Sequence, residues 1–397
     1  MIKPYRDCFT TSVSEKVKWF KECVWDGELS RQGRLALAEL LNGALEEDIN
    51  HQLGIGHAYE RGPERLDQRN GYYQRVLETS FGPAVVRVPR SRQNLYEPLV
   101  FEAYQRRTAH VDQIICDLFT GGLSTRRVAE IMDLICGCQV SAATVSAVAQ
   151  RLDQHAQAYH QRPLEDQYRY LVLDGIHLRC KGAGGPKCRV VLVAYGITFQ
   201  GRKQLIDFHQ AQSEAEAHWA TFLQELYRRG LTGERLQLVT TDGAAGLIAA
   251  LNLVYPRVPR QRCWAHKMRN VSQRLKPVNQ PACLKEAGGI YSAPTRREAV
   301  RRYRQWVRHW QELEPKAVAC LQADIDDLLT YFSVPPEHRM KVRTTNAIER
   351  AFREVRRRTK PMSCFNNPAS IERIVFAVFA HLNSNWEKRT PAFTQET

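Results

Sequence analysis

No apolar run in this chain approaches the roughly 20 residues that a membrane-spanning helix needs. The N-terminus, M-I-K-P-Y-R-D, lacks the apolar core of a secretory signal. A helical membrane protein is therefore not expected, and a cytoplasmic location is. The eleven cysteines are an odd number, scattered, and often set in apolar segments such as Ile114-Ile115-Cys116. That usage fits a reducing compartment and argues against a disulfide framework. Acidic residues are also in deficit, 42 against 57 Lys and Arg, for a net charge of +15. An excess of this size suits a polyanionic partner, nucleic acid first and an anionic membrane surface second. With 43% hydrophobic and 25% charged residues over 397 positions, the chain has material for real cores and for two or three domains.

The N-terminal region, residues 1–105, reads as helices followed by a small hairpin. Leu35, Leu37, Leu40, Leu41, Ala44 and Leu45 make an amphipathic stripe suited to packing or dimerisation, broken at His51–Gly56. Arg69-Asn70-Gly71-Tyr72-Tyr73 is a turn signal. The runs Gln74–Thr79 and Ala84–Val88, joined through Phe81-Gly82-Pro83, form a hairpin pattern. Arg87, Arg90 and Arg92 crowd its end, as a ribbon for a DNA backbone or as a solvated edge. Residues 106–165 are helical again. Ser124 precedes an amphipathic helix carrying Arg126 and Arg127, Gly137 breaks it, and Ser141 and Thr144 open a second helix. Helix, short turn and helix, with small polar residues at the second N-terminus, suits a helix-turn-helix reading a major groove.

At Tyr168 the periodicity switches to strands. Tyr170–Gly175, Cys188–Ile197 and Gln204–Phe208 read as three strands. A helix capped by Ser213 runs to Arg229, Leu236–Thr240 is a fourth strand, Ala244–Leu253 a helix and Val258–Trp264 a short fifth strand. That order is the one found in RNase H-like α/β cores, which places the core's first part at 166–264. Residues 265–340 are basic and helical without a strand pattern, an all-helical insertion; 341–397 would complete the core. Within this last part lies R-T-T-N-A-I-E-R-A-F-R-E-V-R-R-R-T-K, Arg343–Lys360. Thr344 or Thr345 can cap this helix, Pro361 stops it, and Ile348, Phe352 and Val355 make its buried stripe. Glu349 sits beside that stripe, followed by Arg353 and Arg356 at i+4 and i+7. Alone, such a face reads as solvated ion pairs. A C-terminal amphipathic helix, Ile371–Trp386, follows.

Two upstream aspartates change the weighing. Asp174 and Asp242 each end an apolar strand and precede a glycine. Asp-Gly is common in turns, but the carboxyl ends of α/β strands are where ligands bind. Glu349, brought in on a helix packed on the sheet, would make three carboxylates. Like charges that close need cations, and oxygen ligands select Mg2+ or Mn2+. Two such ions can clamp the attacking and leaving oxygens of a phosphoryl displacement. Glu354, five residues past Glu349, lies about 500° round the helix and faces elsewhere.

Cys263-Trp264-Ala265-His266 follows the second aspartate inside Q-R-C-W-A-H-K-M-R-N. With T-D-G before it and T-T-N-A-I-E-R after it, the chain resembles the Mutator-type bacterial transposases of the DDE superfamily. R-N-G-Y-Y, V-P-R-S-R, L-S-T-R-R-V-A and V-S-A-A-T-V-S extend the resemblance through the N-terminal half. The resemblance implies Asp174, Asp242 and Glu349 as catalytic, metal-holding residues, with Cys263 and His266 as a Cys-x-x-His signature. It also implies an RNase H-like core, a helical insertion before the glutamate, and double-stranded DNA as partner, both terminal inverted repeats and target. Strands would be nicked and joined, commonly through a circular intermediate, in a nucleoid-associated complex. Cys263 and His266 are half of a zinc site only if Cys136 and Cys138, or Cys180 and Cys188, supply the rest; the alternative is packing near the metal site. Arg350, Arg353, Arg356, Arg357, Arg358 and Lys360 would neutralise phosphates. Synapsis of two ends requires at least a homodimer. The rival readings are a catalytically inactive, transposase-derived DNA-binding regulator and a nuclease for RNA–DNA hybrids.

Overall fold

The computed structural model describes residues 28–54, 66–102, 105–182, 185–360 and 364–388. Pro361, the expected helix stop, and residues 1–27 lie outside them. The chain forms two compact units, Met1–Arg151 and Leu152–Thr397.

In the first unit, α1 (Glu28–Leu53) is followed by the antiparallel hairpin β1 (Arg69–Thr79) and β2 (Gly82–Ser91). The buried stripe of α1 is Leu45, Ile49 and Leu53, so the expected stripe holds at its C-terminal end, Leu41 and Leu45, and fails at Leu35 and Leu40, which are exposed, the latter at 72%. The reason is that the apolar face of the hairpin, with Leu77, Val86 and Val88, meets the helix at Leu41 and Leu45. Arg69–Tyr73 is not a turn but part of β1. Gly71, at φ 70°, accommodates a bulge between Arg69 and Tyr72. Arg87, Arg90 and Arg92 are exposed, and the Arg90 guanidinium stacks 4.7 Å over Tyr73. Three helices follow: α2 (Ala109–Thr120), α3 (Thr125–Cys136) and α4 (Ala142–Gln161), whose residues from Leu152 on belong to the second unit. Ser124 caps α3 by accepting from Arg127 N–H, and Gly137 ends it at φ 63°. Ser141 Oγ accepts from Thr144 N–H at 3.0 Å and meets the Thr144 hydroxyl, so both side chains serve the start of α4.

The second unit is built on a mixed five-stranded sheet. Its strands are β3 (Tyr168–Gly182), β4 (Gly185–Thr198), β5 (Lys203–Ala211), β6 (Leu238–Thr241) and β7 (Arg260–Arg262), in the order β5-β4-β3-β6-β7. β3, β4 and β5 are antiparallel; β6 and β7 join β3 in parallel. The element order is the expected one: three strands, helix α5 (Glu216–Arg228), strand, helix α6 (Ala245–Val254), strand. β3 continues well past Gly175 because Ile176, Leu178 and Cys180 keep alternating inward. β7 is shorter than expected, since Cys263 already precedes the helix that starts at Trp264. Ser213 does not cap α5; its hydroxyl lies 3.4 Å from His218 Nδ1 and the helix begins at Glu216.

α5 and α6 cover one sheet face, where Leu171, Leu173 and Leu192 pack on Trp219, Leu223, Leu247 and Leu251. Each fully buried side chain of this kind contributes about 1.5–3 kcal/mol relative to exposure. After β7 comes an all-helical segment: α7 (Trp264–Ser272), α8 (Gln280–Tyr291), α9 (Arg296–Trp310), α10 (Pro315–Gln322), α11 (Ile325–Leu328), a 3-10 turn and α12 (Pro336–Val342). α13 (Asn346–Thr359) and α14 (Pro368–Glu387) then pack against β3 and β5. Ile348, Phe352 and Val355 are buried as their spacing predicts. The helical segment brings the chain back to where it left the sheet. Thr240 Oγ1 donates to Val342 O at 2.6 Å, and Trp264 N–H donates to Arg343 O at 3.1 Å. No described helix is long and apolar enough to cross a membrane.

Candidate active site

The parallel register of β3 and β6 ends at Leu173 opposite Thr241, so the next residues on the two strands are Asp174 and Asp242. They stand side by side at the carboxyl end of the parallel pairing, the position where α/β sheets bind ligands. Asp174 is only 8% exposed and accepts from Gly175 N–H at 2.8 Å. The following glycines leave room for neighbouring side chains, and Gly243 also takes a backbone conformation that favours glycine. A Cβ on Gly175 would lie 2.5 Å from Glu214 Oε1, and one on Gly243, at φ 84°, would strike the Arg262 guanidinium.

Glu349 sits in the first turn of α13. Thr345 is the N-cap residue, yet its hydroxyl caps nothing. It is buried and turned to the Cys-x-x-His pair, 3.5 Å from Cys263 Sγ and 3.3 Å from His266 Nδ1, while Thr345 N–H donates to the same sulfur at 3.2 Å. The Cys263-His266 pair thus fixes where the glutamate helix begins. His266 Nε2 then reaches Glu349 Oε1 at 3.5 Å.

Ligand atoms of Asp174, His266 and Glu349 lie within 4.8 Å of one another. Asp242 does not join that group: its Oδ1 is turned to accept Ala244 N–H at 2.9 Å, at the entry to α6. Its charge is nonetheless felt by Asp174 and by Glu214. Burial pushes Asp174 up to about 7; Asp242 and Glu349 add to the rise, and His266 opposes it. The hydrogen bond to Cys263 carries His266 up to about 9 against its own burial, with Asp174 and Glu349 assisting. Burial works against the Cys263 thiolate, but His266 and Thr345 hold the thiol below its usual range. One buried carboxylate, Asp174, with two half-exposed ones nearby suits a hard divalent cation; the His266 imidazole is either a charged neighbour or, when neutral, a nitrogen donor better matched to Mn2+ than to Mg2+.

Two residues beside the candidate site carry no site assignment from the sequence. Glu214, in the turn after β5, is drawn in by the missing side chains of Gly175 and Gly246 and pairs with His177 Nε2 at 3.1 Å. Burial first, then the charge of Asp242, raises its pKa. Thr345 is the other. Glu214 has no sequence signal beyond the glycines, and Thr345 reads from the sequence only as a helix cap. Glu354 faces away as expected and pairs with Arg357 at 3.1 Å and Arg358 at 2.8 Å. Arg350, Arg353, Arg356, Arg357 and Lys360 are exposed along α13, and Arg358 is half-buried. In the other unit Arg126, Arg127 and Ser141 are exposed and Thr144 is half-buried. Among the described residues no four-ligand cysteine–histidine group forms.

Residues 13–389 match the family model for Transposase, Mutator family. The chain is similar to the transposase for insertion sequence element ISRM5 of Rhizobium meliloti, 34% identical over 89% of this chain and 88% of that protein. It is also similar to the transposase for IS406 of Burkholderia multivorans, 34% identical over 88% and 90%. The transposase for IS256 in transposon Tn4001 of Staphylococcus aureus is 32% identical over 83% and 84%.

Proposed function

The chain belongs to the Mutator family of transposases, and from that premise we propose that it binds the terminal inverted repeats of an insertion sequence and cuts and joins DNA strands there with divalent metal ions. The observation that carries this reading is the meeting of Asp174 and Glu349, with Asp242 next in register, at the carboxyl end of the parallel strands. The strand order β5-β4-β3-β6-β7 supports an RNase H-like core, interrupted by the helical segment before α13.

In this reading Asp174, Asp242 and Glu349 hold two Mg2+ or Mn2+ ions, which when bound would supply charge neutralisation at the phosphate and an activated nucleophile. Water attacks the phosphorus at the element end and the P–O3′ bond breaks, leaving a 3′-hydroxyl and a 5′-phosphate. The freed 3′-hydroxyl then attacks a target phosphodiester in line, forming one P–O bond as another breaks. Glu349 orients the nucleophile. His266, charged at neutral pH, keeps the two carboxylates from repelling each other before DNA arrives. The arginines of α13 neutralise backbone phosphates. α3 and α4 act as the helix-turn-helix that reads the repeats, the hairpin arginines flank it, and a homodimer or larger assembly joins two ends in the DNA complex.

The test is a nicking assay on repeat-bearing duplex DNA in Mg2+ or Mn2+. Asp174→Ala, Asp242→Ala and Glu349→Ala should each reduce cleavage to background while repeat binding persists. Loss of binding in all three would mark them as structural carboxylates instead. Wild-type protein that binds repeats but never nicks them would favour a regulator.

A further inference from the structure

Behind the helix that carries Glu349 lies a second, differently built feature of the same unit. It is a cleft of about 490 Å³ between α13, α14 and the β4–β5 turn. Arg202, Arg350, Arg353 and Arg357 line it, with Trp386 as one wall and Tyr195 as part of its base. Gly201, at φ 74°, makes the tight turn that presents the exposed Arg202. The only acidic residue in the lining, Glu354, is already paired with Arg357 and Arg358. Among the described residues Arg202, Arg350 and Arg353 form no salt bridge through their side chains.

The Tyr195 hydroxyl is the second observation. Tyr195 is 0% exposed, and its hydroxyl has no hydrogen-bond partner. Its ring meets the half-buried Trp386 edge-on at 5.7 Å, and it feels the Arg350 charge. A buried polar group without a partner is uncommon, and each instance calls for an explanation. Here it sits at the base of a cleft lined by arginines, within reach of the Arg350 charge, where the lining's one carboxylate is already paired. A phosphate-bearing ligand meets all of these groups at once.

We propose that this cleft takes a short single-stranded stretch of DNA, with phosphates on Arg202, Arg350 and Arg353, an unstacked base against Trp386, and a polar atom of the strand on the Tyr195 hydroxyl. A cationic groove with an aromatic wall is the combination that binds single strands, whereas a duplex keeps its bases stacked and has no use for Trp386. Glu349 and the cleft-lining Arg353 are one turn apart on the same helix, a rise of about 6 Å. The inference rests on the reading of the protein as a DNA transposase. It adds a subsite that would hold the single-stranded DNA adjoining the cut.

The test is a fluorescence-anisotropy titration of the full-length protein with two probes, labelled oligothymidylate and a blunt repeat-bearing duplex of the same length. Trp386→Leu should weaken oligothymidylate binding about tenfold, the loss of one stacked base. Tyr195→Phe, which removes only an unpartnered hydroxyl, should weaken it several-fold with an unchanged or higher Tm. Duplex binding should stay within about twofold in both. Equal losses on the two probes, or no loss on oligothymidylate, overturn the inference. Wild-type protein that binds the duplex but not oligothymidylate overturns it while the transposase reading stands. Binding of neither probe overturns both.

Discussion

Asp174→Asn separates what the fold wants at this position from what the chemistry wants. Asparagine keeps the acceptor for Gly175 N–H and nearly the same volume, and removes only the charge. Burial lifts Asp174 from an ordinary 3.8 to about 7. Because the folded-state value is the higher one, the unfolded chain binds fewer protons between those two pH values, and stability falls as pH rises through that window. The lift corresponds to roughly 4 kcal/mol at pH 8 and to almost nothing at pH 4. The asparagine variant should therefore be more stable than wild type at pH 8, by up to roughly 8–16 °C in Tm for a unit of this size, and equal to it at pH 4. Adding Mn2+ should raise the Tm of the wild type and leave the variant little changed. The assay is thermal unfolding followed by circular dichroism at both pH values, in chelator and in excess Mn2+. A variant no more stable than wild type at pH 8, or equally stabilised at both pH values, would refute the reasoning that Asp174 carries a buried charge which His266 only partly offsets.

Other outcomes follow from the same geometry. His160 lies 2.6 Å from Asp207 and 2.5 Å from Glu372, with Arg229 also on Asp207. Burial opposes its charge, but the two carboxylates carry it up to about 9. The clamp should hold fully below about 6.5 and be lost as pH rises through 9; His160→Ala should cost about 3 kcal/mol in denaturant unfolding at pH 6.5 and little at pH 10. Thr345→Val removes the hydroxyl facing Cys263 and His266; cleavage should fall more than repeat binding, read by nicking and gel-shift assays on the same preparation. Gly230→Ala, at φ 118° with Leu164 O in the way, should cost at least 1–3 kcal/mol of stability in a denaturant titration. If six or more phosphates are neutralised, DNA affinity should fall at least tenfold over a few-fold rise in salt, and a flat titration would count against the basic surfaces.

Much of the scaffold was legible because it is local. The 3.6-residue spacing of Ile348, Phe352 and Val355 marked both the helix and its buried side, and apolar runs ending in Asp-Gly marked β3 and β6 as the strands that matter. What was hidden depends on partners distant in sequence. The stripe of α1 follows from which half of the helix meets the hairpin, and no periodicity states that. Thr345 looks like a cap until Cys263 and His266 arrive beside it. Asp242 reads as a ligand, but its side chain serves the start of α6. Glu214 has no motif at all; it is placed by the space that Gly175 and Gly246 leave.

Asp242 is thus the residue on which the account of the site is most exposed, and counting bound manganese tests it directly. Electron paramagnetic resonance of the wild-type protein on a repeat-bearing duplex should give two Mn2+ ions per site, with Asp242→Asn retaining one fewer at the same free Mn2+. Full retention of both ions by that variant would contradict the claim that Asp174, Asp242 and Glu349 together hold the metals against the DNA phosphate.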